Sequence, residues 1–167
     1  KVNGTEIPVY TCRISKMSFN RVWPGHQRDA GSQTELVSFV NIVSDEELTI
    51  TVKPNFEYKK IMIKPYSKGI VHTDCDGEIT FPIKENGQYV FMADNHLNTL
   101  YIFNSKPIAV PKETDVTHYF GPGVHMPGKI TLHDNESVYV DKDALVFGCI
   151  YAEKAKNINI FGNGIFD

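Results

Sequence analysis

Alternation of apolar and polar positions, without helical spacing, dominates residues 1 to 108. The runs are IPVYTCRI (7–14), ELVSFVNI (35–42), LTITVK (48–53), KIMIKP (60–65), EITFPI (78–83), GQYVFMA (87–93) and TLYIFN (99–104). They are rich in β-branched and aromatic residues, which suit a pleated, half-buried surface. Asp76-Gly77 and Asn86-Gly87 fall between runs. Both pairs tolerate positive φ and therefore predict tight hairpins. No stretch keeps apolar residues at i, i+3, i+4 over three turns. Short strands joined by hairpin chemistry predict an antiparallel β-sandwich.

The pattern changes after NSKPIAVPKETD (104–115), whose two prolines and charges mark a connection. The domain bounds are accordingly 1–108 for the sandwich, 109–117 for the linker and 118–167 for a second, repetitive region. In that region HYFGPGVH (118–125), VYVDKDAL (138–145) and INIFGNGI (158–165) recur every twenty residues (138 − 118 = 158 − 138 = 20). Ile130 and Leu132 likewise precede Ile150 and Ala152 by twenty. A repeat of that length, made of short strands and turns, predicts a parallel β-solenoid. Tyr119 is then expected beneath Tyr139, and Phe120 beneath Val140 and Ile160. Gly121, Gly123, Gly148, Gly162 and Gly164 are expected at the corners, where the backbone turns sharply. The fold class is thus all-β: an antiparallel sandwich, then the beginning of a parallel β-helix.

The repeat segments also carry a resemblance. YFGPGVH (119–125), ITL (130–132), SVYVDKDALVFGCI (137–150) and NINIFGNGIFD (157–167) resemble the opening coils of the β-helix in polygalacturonase-like glycoside hydrolases. The match is closest to the dextranase and isopullulanase branch and its bacterial relatives. FNRVWPGHQR (19–28), IKPYSKGI (63–70) and LYIF (100–103) match the sandwich of that branch more loosely. The resemblance implies that the parallel β-helix is right-handed, and it implies a secreted or cell-envelope enzyme hydrolysing polysaccharide. In that family aspartates on later coils act as acid and base. Those coils, with their Asn-x-Asp, Asp-Asp and Gly-His-Gly signatures, are absent here. No catalytic residue is therefore carried over, and the chain alone is expected to be inactive. Asp167 occupies a coil-shaping position of the family pattern. The chain reads as the N-terminal part of such an enzyme, its sandwich capping the first coil. A stand-alone carbohydrate-binding module and a purely structural solenoid are the alternatives.

Composition narrows this further. Net charge is −3 without a basic cluster, so nothing marks a nucleic-acid partner. No apolar run approaches the ~18 residues of a membrane span. The first residue is Lys1, which reads as a processed chain whose signal peptide has been removed. Cys12, Cys75 and Cys149 are few, odd in number and far apart. They read as buried free thiols, with a Cys12–Cys75 bridge as the alternative.

Among side chains that could do chemistry, Trp23 with Arg21 and Arg28 is the candidate for stacking on a sugar face; the competing role is packing. The histidine spacings supply no zinc motif, and DCDGE (74–78) lacks the remaining ligands of a calcium loop. No metal or cofactor is implied. The partner is polysaccharide, reached through the full-length enzyme. The open end of the solenoid is available for self-association, and 150–167 is expected to be the most labile segment.

Overall fold

The computed structural model describes residues 1–15 and 34–167. The fold is all-β, with two single 3-10 turns and no α-helix among the described residues. It divides into two compact units, Lys1–Ile42 with Glu46–Asn104, and Val43–Asp45 with Ser105–Asp167. Among the described residues no helix is long and apolar enough to cross a membrane.

The first unit is built from β1 (Tyr10–Ser15), β2 (Thr34–Val43), β3 (Leu48–Val52), β4 (Ile61–Lys64), β5 (Thr73–Cys75), β6 (Glu78–Ile83), β7 (Gly87–Ala93) and β8 (Thr99–Ser105). The terminal residues Val43 and Ser105 group with the second unit. One sheet has the order β1-β2-β8-β7-β4 and the other β3-β6-β5. Alternation decides which side chains meet. Ile79, Phe81 and Ile83 of β6 are buried, as are Tyr89, Phe91 and Ala93 of β7. They share one core with Ile50, Ile63 and Ile102, so both sheets contribute an inner face. The Phe81 and Phe91 rings stack between the sheets, centroids 6.3 Å apart. Each buried aromatic of this kind contributes about 1.5–3 kcal/mol.

Asp76-Gly77 forms the expected two-residue hairpin. Its φ angles are 52° and 75°, and Cys75 pairs with Glu78. Asn86-Gly87 does not form a hairpin. β6 pairs with β3 and β5, whereas β7 pairs with β8 and β4. The segment carries the chain from one sheet to the other, and of the pair only Gly87 has positive φ, at 152°.

The second unit holds β9 (His118–Phe120), β10 (Gly123–Leu132), β11 (Ser137–Val140), β12 (Ala144–Ala152), β13 (Asn159–Gly162) and β14 (Ile165–Phe166). They form two parallel three-stranded ladders, ordered β13-β11-β9 and β10-β12-β14. Ile130 pairs with Ile150 and Leu132 with Ala152, a step of twenty. Tyr119 lies on Tyr139 and Phe120 on Val140, again twenty apart. The next step departs from the expected register. Val138 pairs with Ile160 and Val140 with Gly162, a shift of twenty-two (160 − 138). The connection 153–158 is two residues longer than its counterpart 133–136, and the turn after β13 recovers the difference, because Leu145 pairs with Ile165 (165 − 145 = 20).

The central strand β11 is covered on both faces. Val138 and Val140 join Ile130, Leu132, Ala144 and Val146 in one core. Tyr139, with the opposite parity, is 2% exposed and stacks between Tyr119 and Phe161 at 5.2 and 5.4 Å. The tyrosine stack and the valine row are therefore on opposite faces of one sheet.

Candidate functional site

Trp23, Arg21 and Arg28, the stacking candidates from the sequence, lie outside the described residues. The glycine candidates all lie in the second unit. Gly121 precedes β10 and Gly123 opens it; Gly164 joins β13 to β14. Gly148 is not between strands but inside β12, where it pairs with Gly128; a side chain there would meet the Gly128 carbonyl oxygen at 2.5 Å. Gly162 ends β13 with φ +130°, and an added Cβ would lie 2.0 Å from the Val140 carbonyl oxygen. At Gly164 the added atom would lie 2.2 Å from the Asp141 oxygen. Gly148, Gly162 and Gly164 thus let one segment's backbone approach closely the segment on which it stacks.

Between the last two sits Asn163, whose side chain does something its motif did not suggest. Its Oδ1 accepts the Ile108 N–H at 2.8 Å, and its Nδ2 donates to the Lys106 carbonyl at 2.8 Å. The amide reads the backbone of 106–108 as a neighbouring strand would, and fastens that segment to the turn.

Asp141 is the buried carboxylate of this unit, 7% exposed. One oxygen accepts the Asp143 N–H at 3.0 Å, and the other the Tyr139 hydroxyl at 3.3 Å. Burial, and then the Asp141 charge, raise the Tyr139 phenol above its ordinary value. Both oxygens of Asp141 are thus occupied in shaping the β11–β12 turn. His125 donates its Nε2–H to the Gly121 carbonyl, 2.7 Å away, and packs edge-on against Phe120. Among the described residues no three His, Cys, Asp or Glu converge as metal ligands would.

The cysteines are free thiols, but their burial differs from expectation. Cys12 is half-buried, and Cys75 and Cys149 are exposed. Cys75 adjoins the hairpin tip. Cys149 has the outward parity of β12, whose Ala144 and Val146 point inward.

Two cavities open in the first unit. One, of about 460 Å³, has an apolar floor that includes Ile7, Val40, Ile50 and Leu100, with Lys53 and Glu78 paired at 3.7 Å on its rim. The other, of about 390 Å³, is bounded by the end of the 3-10 turn Tyr66–Lys68, by Ile70 and Val71, and by Lys84, Glu85 and Tyr89. It uses the IKPYSKGI segment (63–70) singled out in the sequence. Lys68 pairs with Glu85, and its ammonium lies 5.2 Å from the Tyr89 ring centroid. Tyr89 donates its hydroxyl to the Glu85 carbonyl at 2.8 Å. The hydrogen bond to Glu85 is the main cause that raises the Lys68 pKa, so this lysine stays cationic. Tyr66 is 66% exposed, with the Lys64 ammonium 5.7 Å from its centroid. An apolar surface edged by a fixed donor–acceptor pair is what a ligand with both apolar and hydroxylated faces requires. This cavity is taken as the candidate site.

No family model matches the chain, and no curated protein matches it.

Proposed function

We propose that the chain is the N-terminal part of a secreted or envelope-associated glycoside hydrolase acting on polysaccharide, of the polygalacturonase-like or dextranase-like kind. The observation that carries this reading is the second unit's architecture: two parallel ladders that advance by 20 to 22 residues per step. That periodicity is the one a right-handed parallel β-helix needs, and it comes after a two-sheet unit in the chain, as in the enzymes the sequence resembles. In this reading the six strands are the first coils of the helix. The hydrolytic carboxylates belong to later coils, one protonating the leaving oxygen and others activating water on the opposite face. The state of Asp141 supports assigning no acid to this chain, since its oxygens are already engaged.

The test is hydrolysis. Protein expressed from the complete reading frame is expected to release reducing ends from dextran, pullulan or polygalacturonate, while the 167-residue chain alone releases none. Activity in the isolated chain, or inactivity of the complete protein on all three polymers, would overturn the proposal.

A further inference from the structure

We propose that the cavity beside the Tyr66–Lys68 turn is a binding subsite for an anionic sugar, one bearing carboxylate or sulfate. The inference rests on the polysaccharide reading and adds a location and a ligand class to it. Three features point there.

The first is charge. Lys68 and Lys84 line the cavity against the single carboxylate Glu85, a local excess of one positive charge (2 − 1). The chain as a whole is negative by three. Glu85 is matched by Lys68, and Lys84 forms no ion pair among the described residues. One cation of the lining is left to meet an incoming anion.

The second is the arrangement of polar groups. The Lys68–Glu85 pair offers a donor and an acceptor side by side, the complement of two neighbouring hydroxyls. The pair is held from behind by Tyr89, which is only 1% exposed and fastened to the Glu85 backbone. The third is the apolar rim. Ile70 and Val71 line the cavity, and Val71 is 77% exposed. A pyranose ring presents C–H groups on one face and hydroxyls at its edge. Such a ring fits this rim with its edge toward the lysines.

The experiment is calorimetric titration of the 167-residue chain with tetragalacturonate, with a sulfated tetrasaccharide, and with maltotetraose as the neutral arm. At least one anionic sugar is expected to bind with Kd of about 1 mM or tighter. The neutral one should bind at least about tenfold more weakly, and raising NaCl from about 50 to about 300 mM should weaken the anionic complex. The tighter of the two anionic arms identifies the charged group. Lys84→Ala and Val71→Ser alter exposed side chains, and each should raise Kd at least about fivefold with the melting temperature unchanged. Equal binding of maltotetraose, no binding of either anionic sugar, or full binding by both variants would each overturn the subsite. Hydrolysis by the complete protein decides the enzyme reading separately: binding with no hydrolysis leaves the subsite and removes the enzyme, and hydrolysis with no binding does the reverse.

Discussion

Replacing Gly162 with alanine is expected to detach the last strand of the β9-β11-β13 ladder. Gly162 pairs with Val140 and has φ +130°. An L-residue is strained in that backbone region by about 1–3 kcal/mol. The added Cβ would also lie 2.0 Å from the Val140 carbonyl oxygen and 2.7 Å from its carbon and nitrogen. These are backbone atoms of the stacked strand, so relief requires the two strands to move apart by more than about 1 Å. That carbonyl oxygen accepts the N–H groups of Asn163 at 3.1 Å and Gly164 at 3.2 Å. Losing both adds about 1–3 kcal/mol, at roughly 0.5–1.5 kcal/mol each. The sum is about 2–6 kcal/mol, comparable with the whole stability of a small unit. Gly128→Ala in the same unit is the matched control. Its φ of +70° is also left-handed, but no atom lies within 4 Å of the added Cβ, and the cost should stay near about 1–2 kcal/mol. Denaturant unfolding gives the two energies, and amide exchange locates the loss to residues 159–166. A Gly162→Ala protein no less stable than Gly128→Ala, with 159–166 still protected, would refute the stacking argument.

Other outcomes rest on single contacts. Asn163→Ala removes two hydrogen bonds to the 106–108 backbone and should cost about 1–3 kcal/mol; faster exchange of the Ile108 amide is the direct readout. Phe81→Ala empties the inter-sheet stack with Phe91 and should destabilise the first unit by about 3–5 kcal/mol in denaturant titration. Tyr139 has its phenol raised above 10.0 by burial and by Asp141. Its protonated form is favoured in the folded state, so this contribution is complete below about pH 10 and is lost as pH rises through the folded value. Tyr139→Phe should therefore show a shallower alkaline loss of stability than the parent, and an identical pH profile would contradict that role.

The strands of the first unit were legible because alternation with β-branched and aromatic residues reports a half-buried sheet directly. β5 was not, since its Thr73-Asp74-Cys75 is polar and exposed and becomes strand only by pairing with β6. The Asn86-Gly87 pair predicted a tight hairpin, but Asn86 does not take the positive φ that Asp76 takes in the true hairpin, and Gly87 is near-extended at φ 152°, because β6 and β7 belong to different sheets. The twenty-residue step located the parallel pairs of the first two coils. It failed at Ile160, where the longer connection 153–158 shifts the register. Asn163 was hidden for a different reason: its partners are the backbone groups of Lys106 and Ile108, which leave no side-chain signal. The candidate cavity draws on 67–71 and 82–89, segments that are joined only by the fold. Cys149 has the composition of a core thiol, and one position of strand parity places it outside.

The coding sequence beyond Asp167 tests the central claim most directly. The account predicts further strand-and-turn repeats of about 20–22 residues, with aspartates clustered on one face of a few of them. A frame that stops at Asp167, or one that continues without such repeats or without clustered aspartates, would contradict the hydrolase reading.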